Sequence, residues 1–235
     1  MKYGSSSFST FLVDGVSLLA AKLQGVTHKV ESITERNDGL GDTSEAHGPV
    51  DMAKASLTPT GGFFDDAVDA MHALLKAGSQ AVRSLVFSVD GVTFTGGLGV
   101  LVTSYDVIAK IGTLSKANAT YQVTGDIDTN GVILQNAAQT IDWTNASVDN
   151  GASSPDGGVG YLQVPAFAGL TGFVGYIESS PDNAAWSTLV TFVNVTAAPA
   201  SQRIAVAGVI PQYLRFRGDV AGTGTITAFA GFSRN

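Results

Sequence analysis

A mainly β fold, α+β by content, is what this 235-residue chain predicts, and three observations predict it. Charged residues make up only 14% of the chain while Gly fills 28 positions, and Val, Thr, Phe and Tyr recur along its whole length. Residues of that kind suit a pleated surface broken by many turns. Asp-Gly pairs at Asp14-Gly15 and Asp90-Gly91 divide apolar runs as hairpin turns do. Only one stretch has helical periodicity.

Phe8 to Val13 and Val16 to Gly25 flank the first Asp-Gly pair and read as a hairpin. Val26, His28 and Val30 then alternate with Thr27, Lys29 and Glu31, placing one strand face inward and the other in solvent. Lys54 to Thr60 forms another strand. DDAVDAMHALLKAG, Asp65 to Gly78, is the helix: Asp65 or Asp66 caps it, Lys76 sits in its last turn and Gly78 stops it. Val68, Met71, Leu74 and Leu75 make its apolar stripe, which should pack on a sheet. Strands resume at Ala81 to Val89, Val92 to Thr95, Gly99 to Val107, and within Ser115 to Ile127. Six more are expected at Gly160 to Phe167, Phe173 to Glu178, Leu189 to Val195, Arg203 to Val206, Tyr213 to Arg217 and Thr225 to Phe232. Their short spacing predicts a β-sandwich.

Composition shifts near Gln135. All seven Lys, three His and three Met lie before it, whereas Arg203, Arg215, Arg217 and Arg234 carry every side-chain positive charge after it. NAAQTIDWTNASVDNGASSPDGG, Asn136 to Gly158, has linker or extended-loop content. The expectation is therefore two domains, 1–136 and 137–235.

Several function classes lose support from composition alone. A formal net charge of −7 leaves no general basic grip for phosphates. The chain has no Cys, so no disulfide framework or thiolate metal site can form. Asp14-Gly15 interrupts the N-terminal apolar residues before signal-peptide length, and no run approaches the roughly 18–20 apolar residues of a membrane span. A soluble protein made inside the cell, without membrane insertion, is expected.

DGLGDTSEAHGPVD, Asp38 to Asp51, gathers Asp38, Asp42, Glu45 and Asp51 around His47 and looks at first like a metal or catalytic site. Its spacing matches neither an EF-hand nor a paired-His helix, and three glycines loosen it. A solvated loop that contacts a partner is the better reading. His72 beside Asp69 reads as a surface helix pair, and His28 as a half-buried strand residue. Gly96-Gly97-Leu98-Gly99 lacks the strand-loop-helix context of a phosphate loop and reads as a bulge or bend in a long hairpin. No G-x-S-x-G elbow occurs. Arg217-Gly218-Asp219 spells an adhesion tripeptide by chance, at the end of a strand with Leu214 and Phe216 inward. Asn118, Asn145 and Asn194 begin sequons that have meaning only after export. SSPDNAAWSTL, Ser179 to Leu189, resembles a turn of carbohydrate-binding β-sandwiches, which makes Trp186 a possible glycan contact, although packing is the commoner role of such a ring. Neither an enzyme nor a cofactor is called for.

FLVDGVSLLAAKLQGVTHKVESITERNDGLGD, PVDMAKASLTPTGGFFDDAVDAMHALL and VLVTSYDVIAKIGTLSKANATYQVTG together resemble the major tail protein, or tail tube protein, of long-tailed bacteriophages, over residues 8 to 134. The resemblance implies a tail-tube-type β-sandwich with one flanking α-helix, followed by an immunoglobulin-like or jelly-roll-like β-sandwich as decoration. It implies homohexameric rings stacked into a tube, with tape-measure, tail terminator and tail-tip proteins as partners and phage DNA passing through without specific binding. The location implied is the virion tail, after assembly in the host cytoplasm. The loop residues Asp38, Asp42, Glu45, His47 and Asp51 become candidates for a subunit or ring interface. The alternative is a carbohydrate- or host-surface-binding module of a virion.

Overall fold

The computed structural model of the chain describes residues 9–18, 25–31, 34–36, 47–49, 54–60, 62–63, 83–108, 116–123 and 127–235. The helix expected at Asp65 to Gly78 lies outside the described residues, and among these there is no α-helix. The strands are β1 (Thr10–Val13), β2 (Val16–Ser17), β3 (Gly25–Glu31), β4 (Thr34–Arg36), β5 (His47–Pro49), β6 (Lys54–Thr60), β7 (Gly62–Phe63), β8 (Arg83–Ser88) and β9 (Thr93–Ile108). They continue as β10 (Lys116–Val123), β11 (Ile127–Gln139), β12 (Trp143–Thr144), β13 (Val148–Asp149), β14 (Gly158–Ser180), β15 (Ser187–Thr191), β16 (Ala200–Val206) and β17 (Tyr213–Arg234). β4 and β5 pair alone, and the other 15 join one sheet whose main path is β15-β14-β17-β11-β9-β10-β6-β3. The expectation of a mainly β protein therefore holds, as an antiparallel sheet.

The first hairpin forms as its sequence requires. Asp14 and Gly15 both have positive φ, 49° and 83°, the primed-turn geometry that matches strand twist. Val13 faces Val16 across the turn. The turn is also locked to distant strands. The Asp14 carboxylate accepts from the Ser84 amide at 2.8 Å and the Arg83 guanidinium at 3.1 Å. Gly15 donates its amide to Gln163 Oε1 at 2.5 Å, and Gln163 Nε2 donates to Ser84 Oγ at 2.9 Å. A β-carbon at Gly15 would sit 2.6 Å from backbone atoms of Ala200, so no other residue fits there.

Three pairs of expected short strands are single long ones. Val92 to Thr95 and Gly99 to Val107 fuse into the 16-residue β9, and the bulge expected at the glycines is present: Arg83 faces Val100 while Ser84 faces Leu98, leaving Gly99 extra. Gly160 to Phe167 and Phe173 to Glu178 fuse into the 23-residue β14, and Tyr213 to Arg217 and Thr225 to Phe232 into the 22-residue β17. Their ladder runs from Gly158 opposite Arg234 to Ser180 opposite Tyr213. Drawn straight, such a strand would reach about 75 Å, beyond the roughly 45 Å diameter of a compact chain of this size. It bends instead, at register shifts around Ala166 to Gly172, where the extra residue Gly169 and Gly222, opposite Leu170, take positive φ. The glycines that separate the expected strands in the sequence are bends within strands.

The start of β14 separates two cores. All residues from Gly158 to Val164 are buried, because the strand is covered on both faces. Val159 and Tyr161 point into a small core with Leu12, Val86, Phe94 and Phe229. Leu162 and Val164 point into a larger one with Phe173, Phe216, Ile226 and Phe232. β17 alternates in the same way, Phe229 to one core and Ala228, Ala230 and Phe232 to the other. Phe94 anchors the small core edge-on to Tyr161 and Phe229, with ring centroids 5.5 Å from each. It fits because Gly131 and Gly231 lie against it: a β-carbon on either would come within 2.3 Å and 2.5 Å of the ring.

Asn136 to Gly158 contains short strands where linker content was expected. Residues 136–139 belong to β11 and pair with β17, as do β12 and β13. Trp143 stacks on Phe173 at 5.5 Å and donates to Gln135 Oε1 at 3.2 Å. The amide of Asn145 donates to the Leu134 carbonyl and to Gln135 Oε1. Polar composition here supplies bonds along an edge of β17, so it does not mark free chain.

Candidate functional site

Two features of the fold present chemistry to the outside: the ends of the sheet, and a charged aromatic ladder on its β14–β17 face. At one end, β3 pairs with β6 and with no other strand among the described residues. At the other, β15 and β16 lie along one side of β14, at Tyr176 to Ser179 and Gly158 to Val164. β15, STLVT, carries no charge, and three of its five residues are exposed. Open edges of this kind hold unpaired amides and carbonyls, and a strand from another chain can complete them.

The acidic loop joins β4 to β5. Asp38, Asp42, Glu45 and Asp51 lie outside the described residues, while His47 opens β5 with Arg36 opposite it in the ladder. The base of the loop is thus a two-stranded ladder of its own. His28 faces Leu57 across β3 and β6, and Lys29 is exposed as its alternation predicts. His72 and Asp69 lie outside the described residues. No cluster of three or more His, Asp or Glu that could hold a metal occurs among the described residues.

The ladder occupies the end of the β14–β17 ribbon. Glu178 faces Arg215 and Tyr176 faces Arg217 in the register. Glu178, only 8% exposed, accepts from Arg215 Nε at 2.7 Å through Oε2 and from Arg217 Nε at 3.0 Å through Oε1. Arg217 also donates Nη1 to both oxygens of Asp219, at 2.6 and 2.5 Å. Each guanidinium lies over a ring: Arg215 over Trp186 at 4.1 Å, Arg217 over Tyr176 at 3.9 Å. The adhesion tripeptide is thereby accounted for, since its Arg and Asp bind each other and Gly218 lies against the Trp143 ring. Trp186 is half-buried, with Arg215 on one face of the indole.

Trp186 is positioned by a turn. The Asp182 carboxylate accepts from the amides of Ala185 at 3.0 Å and Ala184 at 2.9 Å and from the Ser180 hydroxyl at 2.9 Å. These bonds, the Ala185 amide first, hold its carboxyl down to about 2. A carboxyl depressed in the fold contributes to the turn above its unfolded pKa of about 3.9 and stops contributing as pH falls through the folded value. NMR titration should therefore give an Asp182 midpoint about 2, with the Trp186 indole resonance steady from neutral pH to about 4 and moving only below it. A midpoint at the ordinary Asp value would mean that the turn does not hold in solution.

Strand alternation in the sequence places Arg215 and Arg217 outward, as found, but their partners are hidden from it. Glu178 and Tyr176 lie more than thirty residues away and meet them only through the ribbon register. The short Ser-Pro-Asp turn beside Trp186 was the legible signal.

No family model and no curated protein matches the chain. Among solved structures it is similar to the crystal structure of the SPP1 Dit (gp 19.1) protein, described as a paradigm of the hub adsorption apparatus in phages infecting Gram-positive bacteria. That similarity has 11% identity over 96% of this chain and 99% of the other, with a TM-score of 0.36. A second similarity, to infectious bursal disease virus Gx strain, has 13% identity over 89% of this chain and 55% of the other, with a TM-score of 0.25. At scores this low neither superposition fixes a shared topology, and no residue here acquires a role from either protein.

Proposed function

We propose that this chain is a structural subunit of a bacteriophage tail, a non-enzymatic protein whose work is self-association. The observation that carries the reading is that, among the described residues, no further strand pairs beyond β3 at one end of the sheet or beyond β15 and β16 at the other. An edge strand is a liability in a lone molecule and an assembly surface once a neighbour completes its ladder. Two different edges meeting head to tail give a heterologous contact, which closes into a ring when its rotation permits. The three tail-protein-like stretches between residues 8 and 134 support the same reading from the sequence.

The finer form of the proposal is a major tail tube subunit, in hexameric rings stacked around the path of the DNA. In it residues 1–136 build the ring and residues 137–235 form a decorating β-sandwich. Asp38, Asp42, Glu45, His47 and Asp51 reach a neighbouring copy, where Lys or Arg would meet the carboxylates. Tape-measure, terminator and tail-tip proteins are the partners, and the tail of the virion is the place. The net charge of −7 suits a passage in which phosphates find few basic anchors.

Negative-stain microscopy of the purified chain, alone and with tail partners, tests this. Rings or tubes are the expected result. Dispersed monomers at high concentration, even with partners supplied, would remove the basis of the proposal.

A further inference from the structure

The ladder on the β14–β17 face has a donor array that the fold itself does not use. Arg215 gives its Nε to Glu178 and stacks its plane over Trp186, yet neither of its terminal amino groups has a hydrogen-bond partner among the described residues. Its side chain is 26% exposed, so those N–H groups face solvent. Glu178 and the indole fix the guanidinium in one plane, so a ligand meeting it would find the donors already oriented.

Charge decides what that ligand is. Arg215 and Arg217 are matched by the carboxylates of Glu178 and Asp219, all within one bonded network. A phosphate, sulfate or other anion would meet no net positive charge there, on a chain that is acidic overall. A neutral ligand rich in hydroxyls suits the site, because hydroxyl oxygens accept from the Arg215 fork and hydroxyl protons find the exposed carboxylate of Asp219. The rings of Trp186 and Tyr176 border the same face and can cover the apolar side of such a ligand.

We infer that this face is a binding site for a neutral saccharide, with Arg215 as the contact that recognises hydroxyls and Trp186 as the residue that positions it. The role first assigned to Trp186 moves to the guanidinium above it. The inference is independent of the tail-subunit reading, because it concerns one copy of the chain.

The test uses the full chain on a printed array of neutral hexose and N-acetylhexosamine oligosaccharides beside sulfated and sialylated ones, followed by calorimetric titration of the strongest neutral binder. The expected result is retention of neutral saccharides, with Arg215→Ala and Arg215→Lys each weakening binding at least about tenfold, the loss a charge-assisted hydrogen bond brings. Arg215→Lys keeps the ion pair with Glu178 and so separates lost recognition from lost folding, which melting temperatures monitor. Trp186→Ala weakens binding too, while Trp186→Phe, which keeps a ring beneath the guanidinium, retains it. Val92→Ser, at the exposed turn before β9, leaves it unchanged. No neutral saccharide bound, acidic glycans alone bound, or full binding by both Arg215 variants would each overturn the inference.

Discussion

Phe94→Ala lowers unfolding stability by about 3–5 kcal/mol, the usual cost of deleting a buried Phe ring. The ring is 2% exposed and packs edge-on against Tyr161 and Phe229, so its removal takes the centre out of the small core. The glycines beside it sharpen the test. A methyl added at Gly131 lies 2.3 Å from the Phe94 ring, which cannot move aside among its neighbours, so Gly131→Ala alone costs about 1–3 kcal/mol by overpacking. With Phe94 already reduced to Ala, the same methyl enters the vacated space and should stabilise. Urea unfolding of the two single variants and the double variant reads the coupling directly. Additive losses would show that ring and glycine are not in contact.

The second large effect belongs to Arg203. It donates Nη2 to Asp128 at 3.0 Å and Nε to the Tyr161 hydroxyl at 3.0 Å, while Tyr161 itself donates to Asp128. Asp128 is 7% exposed and Tyr161 wholly buried. Burial first, and then the bond to Asp128, hold the Tyr161 hydroxyl well above the usual phenol range, so it remains a donor at any ordinary pH. Arg203→Met strands a carboxylate in the interior and should cost about 3–5 kcal/mol, whereas the double change Arg203→Met with Asp128→Leu should recover part of it, the buried Tyr161 hydroxyl then lacking both of its partners. Thermal or urea unfolding of both variants is the measurement. If the double variant is no more stable than the single one, the penalty is lost packing and the ion pair is incidental.

The sequence is a good guide to faces and turns and a poor one to strand length. Leu214 and Phe216 inward with Arg215 and Arg217 outward, the primed turn at Asp14-Gly15 and the bulge at the Gly96 to Gly99 run are all local consequences of side-chain chemistry. The continuity of β14 and β17 is not local. Gly169 and Gly222 can end a strand or bend one, and only the partner strand across the ladder decides which. The same limit hid the site. Asp128, Tyr161 and Arg203 lie in three separate stretches, and Arg215 lies far along the chain from Glu178 and Trp186; nothing in the spacing of such residues announces a contact made by register. The acidic loop drew attention because its charges are adjacent in the chain.

The wall of β14 and β17 has a further meaning for the order in which the protein comes into being. Each of the two cores needs side chains from β17, Phe229 for one and Phe216, Ile226 and Phe232 for the other. During synthesis neither can close before residues 213–234 have left the ribosome, however early β1 and β8 are available. Closure of both is therefore gated by a single late strand, whose ladders reach back as far as β11, and such long-range pairing makes for slow folding. For a subunit of the kind proposed, joining neighbours through sheet edges, such a gate would hold back assembly until both of these cores have closed.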